Sequence, residues 1–422
     1  LKTLKFKIRK LNKQDFNKLK DFCHYSNNLY NYSLYICRKY FEETNKYLGY
    51  VNLEKEVKTN ENYKLLPVQT SQQIIRMIDK NFRSFFALIN KKKKGQHSDN
   101  IHKPNFKKKG VMNNLIFTFQ NSFIKEGYIQ LCSSKEYNKK LNVKQGHGNI
   151  KLPFTYKIDG NFKQLIIKPI NNGQYFNCYL QYEENKIIKE EKDQNNYLSI
   201  DTGINNLCSC FNSSTGQAFI INGKALKSYN SFYNKKLSEY KSILKKVNNK
   251  NWSKKLERIN QKRYWYIDNY FNQVVNYIIK YCTKNNINKI IIGYNETWKT
   301  KCNIGKINNR NFYNIPYSIL KQKLENKCNG SNFIFIVHEE SFTSKCDALA
   351  LEEIKQHDEY LGTRVHRGLY QSSVGKMINA DVNGAINIMR KAKVLNDELI
   401  KLQLIKGLIF NPVKINFNKT AK

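Results

Sequence analysis

Two aspartates in different local settings can do chemistry together in this chain. Asp201 ends the apolar run YLSID and leads into the turn residues TGINN, while Asp381 opens the helix-forming run of INADVNGAINIMRK. They stand 180 residues apart, at 201 and 381, so only tertiary folding can unite them. A short buried strand ending in one carboxylate, with a second at a helix start, suits a divalent metal site. Two such ions about 4 Å apart can activate a water and stabilise the leaving oxygen of a phosphodiester. Mg²⁺ is therefore the expected cofactor, as two ions, and Mn²⁺ can substitute. An aspartate after an apolar stretch is by itself most often a turn residue. The pairing of the two flanking patterns is what carries weight.

A third carboxylate is expected at the end of the strand beside the first. That strand reads KIIIGYNETWK, and the position holds Gly293, which ligates nothing. Three residues can compensate: Glu340 and Glu339 at the end of NFIFIVHEE, and Glu296 just beyond the strand. Successive strand residues point to opposite faces, so one of Glu339 and Glu340 faces the ions. A neighbouring strand lies about 4.8 Å further off, a gap that a glutamate side chain largely bridges. The order of preference is Glu340, then Glu339, then Glu296. The expected metal ligands are Asp201, Glu340 and Asp381, with Glu339 kept in the catalytic set.

The charge balance points to the substrate. The chain carries 73 Lys+Arg against 33 Asp+Glu, a net charge of +40. Such an excess destabilises a compact chain by self-repulsion unless a polyanion offsets it, and counterion release from phosphates supplies salt-sensitive affinity. Nucleic acid is the expected partner. An AT-rich prokaryotic genome accounts for part of the Lys and Asn abundance, and a cytoplasmic, nucleoid-associated location follows. No run of about 18 apolar residues marks a membrane span. Ten cysteines are scattered, and the one close pair, Cys208 and Cys210, is CxC. Without CxxC, neither a zinc ribbon nor a disulfide framework is read, and no zinc is expected.

Elements must position these groups. TLKFKIRKL alternates as a strand with one wet face. Residues 15–94 turn helical in two or three pieces, one of them with Ile74, Ile75, Ile78, Phe82, Phe85 and Phe86 at helical spacing and Thr70 or Ser71 as its cap. After the basic connector 91–110, alternating runs such as LIFTFQ, YIQLC and FNCYLQYE read as a small antiparallel barrel joined by the N-terminal strand. KEEKDQNN (189–196) is a linker. Beyond it, strands alternate with helices, including a long helical stretch over 226–284, which argues for a mixed α/β sheet.

In these motifs and their order the chain resembles the transposon-encoded TnpB family of RNA-guided DNA endonucleases, related to type V CRISPR effectors. SIDTGINNL is similar to the first RuvC motif and NADVNGAINIMRKA to the third. HEESFTSKCD resembles the segment before the family's zinc ribbon, HKPNFKKKG its Lys-Pro-x-Phe-Lys element, and LPVQTSQQIIRMIDKNFRSFFALI its Gln-rich helix. Gly293 resembles a branch with a relocated glutamate, near HEESFTSK here. The family's two CxxC pairs are missing between Cys346 and Asp381, so other packing must hold that lobe.

The resemblance implies a ribonuclease-H-like RuvC domain (197–345 and 375–393) and a degenerate target-nucleic-acid lobe (346–374). It further implies a wedge-like β-barrel (1–14 and 95–188), an inserted helical recognition lobe (15–94) and a tail (394–422). It implies guide RNA and double-stranded target DNA as partners, with a monomer favoured. A short target-adjacent motif is read by the protein and the rest by base pairing. Asn31, Gln72 and Gln73 are candidate base readers, since amides pair bidentately with adenine. Arg76, Lys103, Lys107, Lys108, Arg364 and Arg367 are candidate nucleic-acid contacts. The alternatives are a CRISPR-associated type V-like effector of the same chemistry and a nuclease-inactive guided repressor.

Overall fold

The computed structural model describes residues 1–184, 196–249, 252–295, 313–331, 333–366, 368–394 and 409–417. Glu296, Arg367, most of the 189–196 segment and most of the tail lie outside the described residues. The chain divides into two compact units, Leu1–Ile187 and Ile188–Lys422.

The first unit opens with β1 (Lys2–Lys7), then α1 (Lys13–Thr44), α2 (Gly49–Val57), α3 (Glu61–Leu65) and α4 (Val68–Lys93). The Asn12 side chain caps α1 by accepting from Asp15 N–H, and Asn45 ends it in the left-handed conformation. Leu19, Phe22, Leu29 and Leu34 of α1 share a core with Ile74, Ile75, Ile78 and Phe82 of α4. α4 begins earlier than a cap at Thr70 or Ser71 requires. Pro67 precedes it, its fixed φ suiting a helix entry, and Ser71 Oγ donates to Tyr63 O at 2.9 Å.

The alternating runs form β2 (Leu115–Thr118), β3 (Ser122–Lys125), β4 (Tyr128–Leu131), β5 (Ile150–Pro153), β6 (Asn161–Ile170) and β7 (Tyr175–Glu183), with α5 (Lys135–Lys140) between β4 and β5. The expected single barrel is hydrogen-bonded as two antiparallel sheets, β1-β7-β6-β2 and β3-β4-β5. Asn121 makes the corner between them: its Oδ1 accepts from Thr118 N–H at 2.7 Å and its Nδ2 donates to Thr70 Oγ1 at 3.0 Å. The N-terminal strand joins as expected, β1 pairing with β7 from Lys2 opposite Tyr182 to Lys7 opposite Asn177.

The second unit holds β8 (Tyr197–Thr202), β9 (Asn206–Asn212) and β10 (Ala218–Asn222), then α6 (Lys224–Asn248) and α7 (Lys254–Lys284). It continues through β11 (Lys289–Gly293), α8 (Tyr317–Asn329), β12 (Ile334–His338), β13 (Thr363–His366), β14 (Leu369–Gln371), β15 (Met377–Asn379), α9 (Ala380–Lys391) and β16 (Val413–Ile415). The main sheet runs β12-β11-β8-β9-β10-β16. β8, β9 and β10 form an antiparallel meander, and β11 and β12 add in parallel beyond β8. That is a mixed α/β sheet, as the alternation of strands and helices in the sequence predicts.

Both faces of this sheet are covered, which explains its near-continuous apolar strands. Leu198, Ile200, Ile290 and Ile292 pack with Phe271 and Val274 of α7 and Leu320 of α8. Tyr197, Phe211 and Ile291 face the other way, toward Ala385, Ile386 and Met389 of α9. The long helical stretch is a hairpin of α6 and α7, and the irregular stretch before Asp381 carries the small sheet β13-β14-β15. None of the described helices is long and apolar enough to cross a membrane.

Candidate active site

Strand parity puts the first aspartate on the α9 face. Leu198 and Ile200 enter the core beneath α7, so Asp201 follows Tyr197 to the opposite side. β11 pairs with β8 in parallel up to Ile292 opposite Ile200, which sets Gly293 beside Asp201. Asp381 lies in the first turn of α9, where the Asn379 side chain accepts from Asp381 N–H (3.0 Å) and Val382 N–H (3.2 Å). A carboxylate is favoured there by the positive end of the helix dipole. Asn206 Nδ2 donates to Asp381 Oδ2 at 2.7 Å, and Arg364 Nη2 stands 3.6 Å from Oδ1.

Glycines let these groups approach. A Cβ built on Gly384 stands 2.7 Å from Asp201 Oδ2, so any larger residue must displace that carboxylate. At Gly293 a Cβ stands 2.6 Å from Glu340 Oε2 and collides with Ile388 Cδ1. Glu340 lies two residues past β12, whose His338 pairs with Gly293. Its carboxylate therefore occupies volume that a side chain at 293 needs.

Glu340 is buried, and neither of its oxygens has a hydrogen-bond partner among the described residues. Burial, then the charge of Glu339, push its carboxyl up to about 7, against a lowering by Lys391. Asp201 keeps partial surface exposure, yet burial lifts its carboxyl well above the carboxylate range, and the like charges of Glu340 and Asp381 add to this. Glu339 is arranged otherwise. Lys391 Nζ holds it at 2.6 Å and Ser341 N–H donates to it at 2.7 Å. Partial burial works to raise its carboxyl, but these bonds leave it below the usual range.

Hydrogen bonds tie the Glu340 segment to the helix bearing Asp381. Thr343 Oγ1 donates to Glu340 O at 2.8 Å. Asn387 Nδ2 donates to Thr343 O at 3.0 Å and Cys346 O at 2.7 Å, and Asn383 Nδ2 donates to Cys346 O at 2.8 Å. The lobe beyond Cys346 is organised around a carboxylate: fully buried Asp347 accepts from Leu349 N–H, Ser372 Oγ, and Ser373 N–H and Oγ. Glu352 adds bonds from Asp347 N–H and Leu361 N–H.

A cluster of like-charged carboxyls, with Glu340 lacking a hydrogen bond among the described residues, suits a divalent cation, which removes both the repulsion and the missing bonds. No three His, Cys, Asp or Glu side chains among the described residues already stand at metal-ligating distances. Side-chain rotation is needed for closure on an ion, and Glu340 has no hydrogen bond to give up.

The expected nucleic-acid residues divide by how far they are engaged. Asn31 is committed on both edges to the Lys107 backbone, donating to its O and accepting from its N–H, each at 2.8 Å. Its role is to pin the 103–109 segment, because a buried backbone needs partners. Gln72 Nε2 donates to Glu54 Oε1 at 2.8 Å, and the Arg76 guanidinium lies 4.5 Å from the Tyr50 ring centroid. Lys103 sits over Phe41 and Lys107 over Tyr30, and burial lowers the Lys107 ammonium. Lys108 is exposed and Gln73 half-buried. Arg364 lies beside Asp381, and Arg367 is outside the described residues.

Several site residues escaped the sequence reading. Asn383 and Asn387 carried a signal, being polar residues four apart within the mostly apolar run of α9 between Asp381 and Arg390. A groove beside the start of α4, lined by Lys58, Lys64, Gln69, Gln120 and Lys135, gave none, since it joins segments far apart in sequence.

Residues 179–299 match the family model OrfB_IS605, described as a probable transposase. No curated protein matches the chain. Among solved structures, a Cas12f1–sgRNA–target DNA complex is similar over 92% of this chain and 98% of its own, at 15% identity and TM-score 0.35. A CRISPR-Cas12f ternary complex is similar over 89% and 81%, at 14% identity and TM-score 0.34. The family match spans the strands that end in Asp201 and Gly293, and it is to that part of the chain that the similarity applies.

Proposed function

We propose that the chain is an RNA-guided DNA endonuclease that cuts by metal-dependent phosphodiester hydrolysis in one RuvC site. The observation that carries this is the placement of Asp201, Glu340 and Asp381 at the ends of β8, β12 and the start of α9, with Glu340 in the space left by Gly293. Those three carboxylates would hold Mg²⁺. When bound, the ions supply an activated water and stabilisation of the leaving oxygen.

The protein's own part is positional. Asn206 and Asn379 fix Asp381, Gly384 lets Asp201 meet α9, and the Asn387 bonds hold the Glu340 segment. Arg364 places a cation at the mouth, where a phosphate oxygen can be received. The sheets and helices of the first unit serve as wedge and recognition lobe, binding the guide RNA scaffold and reading the target-adjacent motif. Guide RNA and duplex DNA are the partners, and the net charge of +40 supports a polyanion in either role. The filled space at Gly293 weighs against the nuclease-inactive reading.

Sequencing the RNA that co-purifies with the protein tests the guided part. A defined, structured RNA is expected, and reprogramming its guide segment should redirect Mg²⁺-dependent cutting. Equal target-specific cutting by RNA-free protein would contradict it.

A further inference from the structure

The hairpin of α6 and α7 carries an unusual surface. Its seam is aromatic and polar: Tyr229 stacks on Tyr266 with centroids 3.9 Å apart, Tyr233 OH donates to Asn260 Oδ1 at 2.8 Å, and Lys255 lies over Tyr240. Large apolar residues are left outside that seam. Phe232, Ile243 and Val247 are 59%, 54% and 71% exposed, and Trp252, at the entry to α7, is 60% exposed. At 100° per residue, the three on α6 fall within about 60° of one another. They form one flank and are not scattered.

Charge decides what covers this flank. Between residues 224 and 268 the sequence has 13 Lys or Arg and 3 Asp or Glu, a net +10. Lys245, Lys246, Lys254 and Lys255 are exposed near Trp252 in sequence. A second copy would set this charge against its own like, and an apolar protein groove would leave the ammonium groups without partners. Phosphates satisfy them, and an unpaired base offers a flat face to the indole. Duplex DNA would use the lysines but leave the aromatic ring idle.

We propose that the α6–α7 hairpin is a binding arm for single-stranded nucleic acid, with Trp252 as a stacking platform and the flanking lysines as phosphate contacts. This rests on the nucleic-acid reading above but not on the cleavage chemistry. Base stacking on an aromatic side chain and phosphate neutralisation along a basic track are together enough for strand binding without sequence preference.

The test uses the full chain, freed of bound nucleic acid at high salt, with Trp265→Phe and Trp298→Phe so that Trp252 alone reports. Titration with a 12-nucleotide oligothymidylate should quench its emission, while a 12-base-pair duplex should not. Trp252→Ala should weaken binding of the single strand five-fold or more. Changing Lys245, Lys246, Lys254 and Lys255 to Gln should flatten the slope of log affinity against log salt by up to about 3. Unchanged emission, equal quenching by the duplex, or Trp252→Ala binding within two-fold would overturn the arm. So would an emission change driven by protein concentration alone, which would mean that copies dock there. The Asp201 and Glu340 cleavage assays read a separate site, so a silent Trp252 leaves the nuclease reading standing.

Discussion

Glu340 Oε2 lies 2.6 Å from the point where a Cβ on Gly293 would stand. One residue's missing side chain and another's carboxylate thus share one volume, and the two positions must be understood together. Gly293→Ala should cost about 1–3 kcal/mol through overpacking against Ile388 and displace Glu340. Thermal melting should show the loss, and Ile388→Val in the same chain should recover part of it. A Gly293→Ala protein that melts and cuts like the parent would show the volume is not shared.

Gly384 gives a prediction in which stability and activity part. Alanine is the better helix former by about 1 kcal/mol, so Gly384→Ala should not weaken α9 intrinsically. Its Cβ would nonetheless stand 2.7 Å from Asp201 Oδ2. Cleavage should fall at least ten-fold while the melting temperature changes little. A parallel fall in both would point to general damage.

The acids make the metal-free protein pH-sensitive. The folded Glu340 carboxyl stands at about 7, above its ordinary value of 4.5. A folded value above the unfolded one means the folded state holds its proton longer. The associated stability is full below about 4.5 and lost as pH rises toward 7, an effect on the order of 3 kcal/mol. Asp201 acts in the same direction. Calorimetry in EDTA should show the melting temperature falling between pH 5 and 7.5. Excess Mg²⁺, or Glu340→Gln, should flatten that slope, and a rise in EDTA would contradict the burial argument.

How much of this was legible in the sequence differs by residue. Asp201 and Asp381 stood out because each sits in a strong local pattern, a buried strand end and a helix start. The vacancy at Gly293 was equally plain. Strand parity left one of Glu339 and Glu340 to face the ions without saying which, and in the structure Glu340 is buried while Glu339 pairs with Lys391. The bonds of Asn31 were hidden because its partner, the Lys107 backbone, is 76 residues away. The two-sheet arrangement was hidden for the same reason, since the Asn121 corner depends on Thr70. Local periodicity records elements well, but it does not record which amide finds which distant backbone.

Asn387 shows how a residue without a ligand role can matter. Its amide serves Thr343 O and Cys346 O, both in the segment that follows Glu340. Asn387→Ala strands Thr343 O, while Cys346 O keeps Asn383 Nδ2, at about 1–3 kcal/mol for a buried group left unpaired. The Mg²⁺ concentration needed for half-maximal cutting should rise several-fold more than it does for a change at an exposed residue such as Lys327→Ala. An unchanged metal requirement would confine Asn387 to stability alone.

The central claim is that Glu340 completes the acid set of Asp201 and Asp381. The direct measurement is guided cleavage in Mg²⁺ by Glu340→Gln and Glu339→Gln, each beside Asp201→Ala and Asp381→Ala, with target binding measured in parallel. The account predicts that Glu340→Gln abolishes cutting as fully as either aspartate change, that Glu339→Gln retains most of it, and that all four still bind target. Normal cutting by Glu340→Gln, or loss of cutting by Glu339→Gln alone, would contradict it.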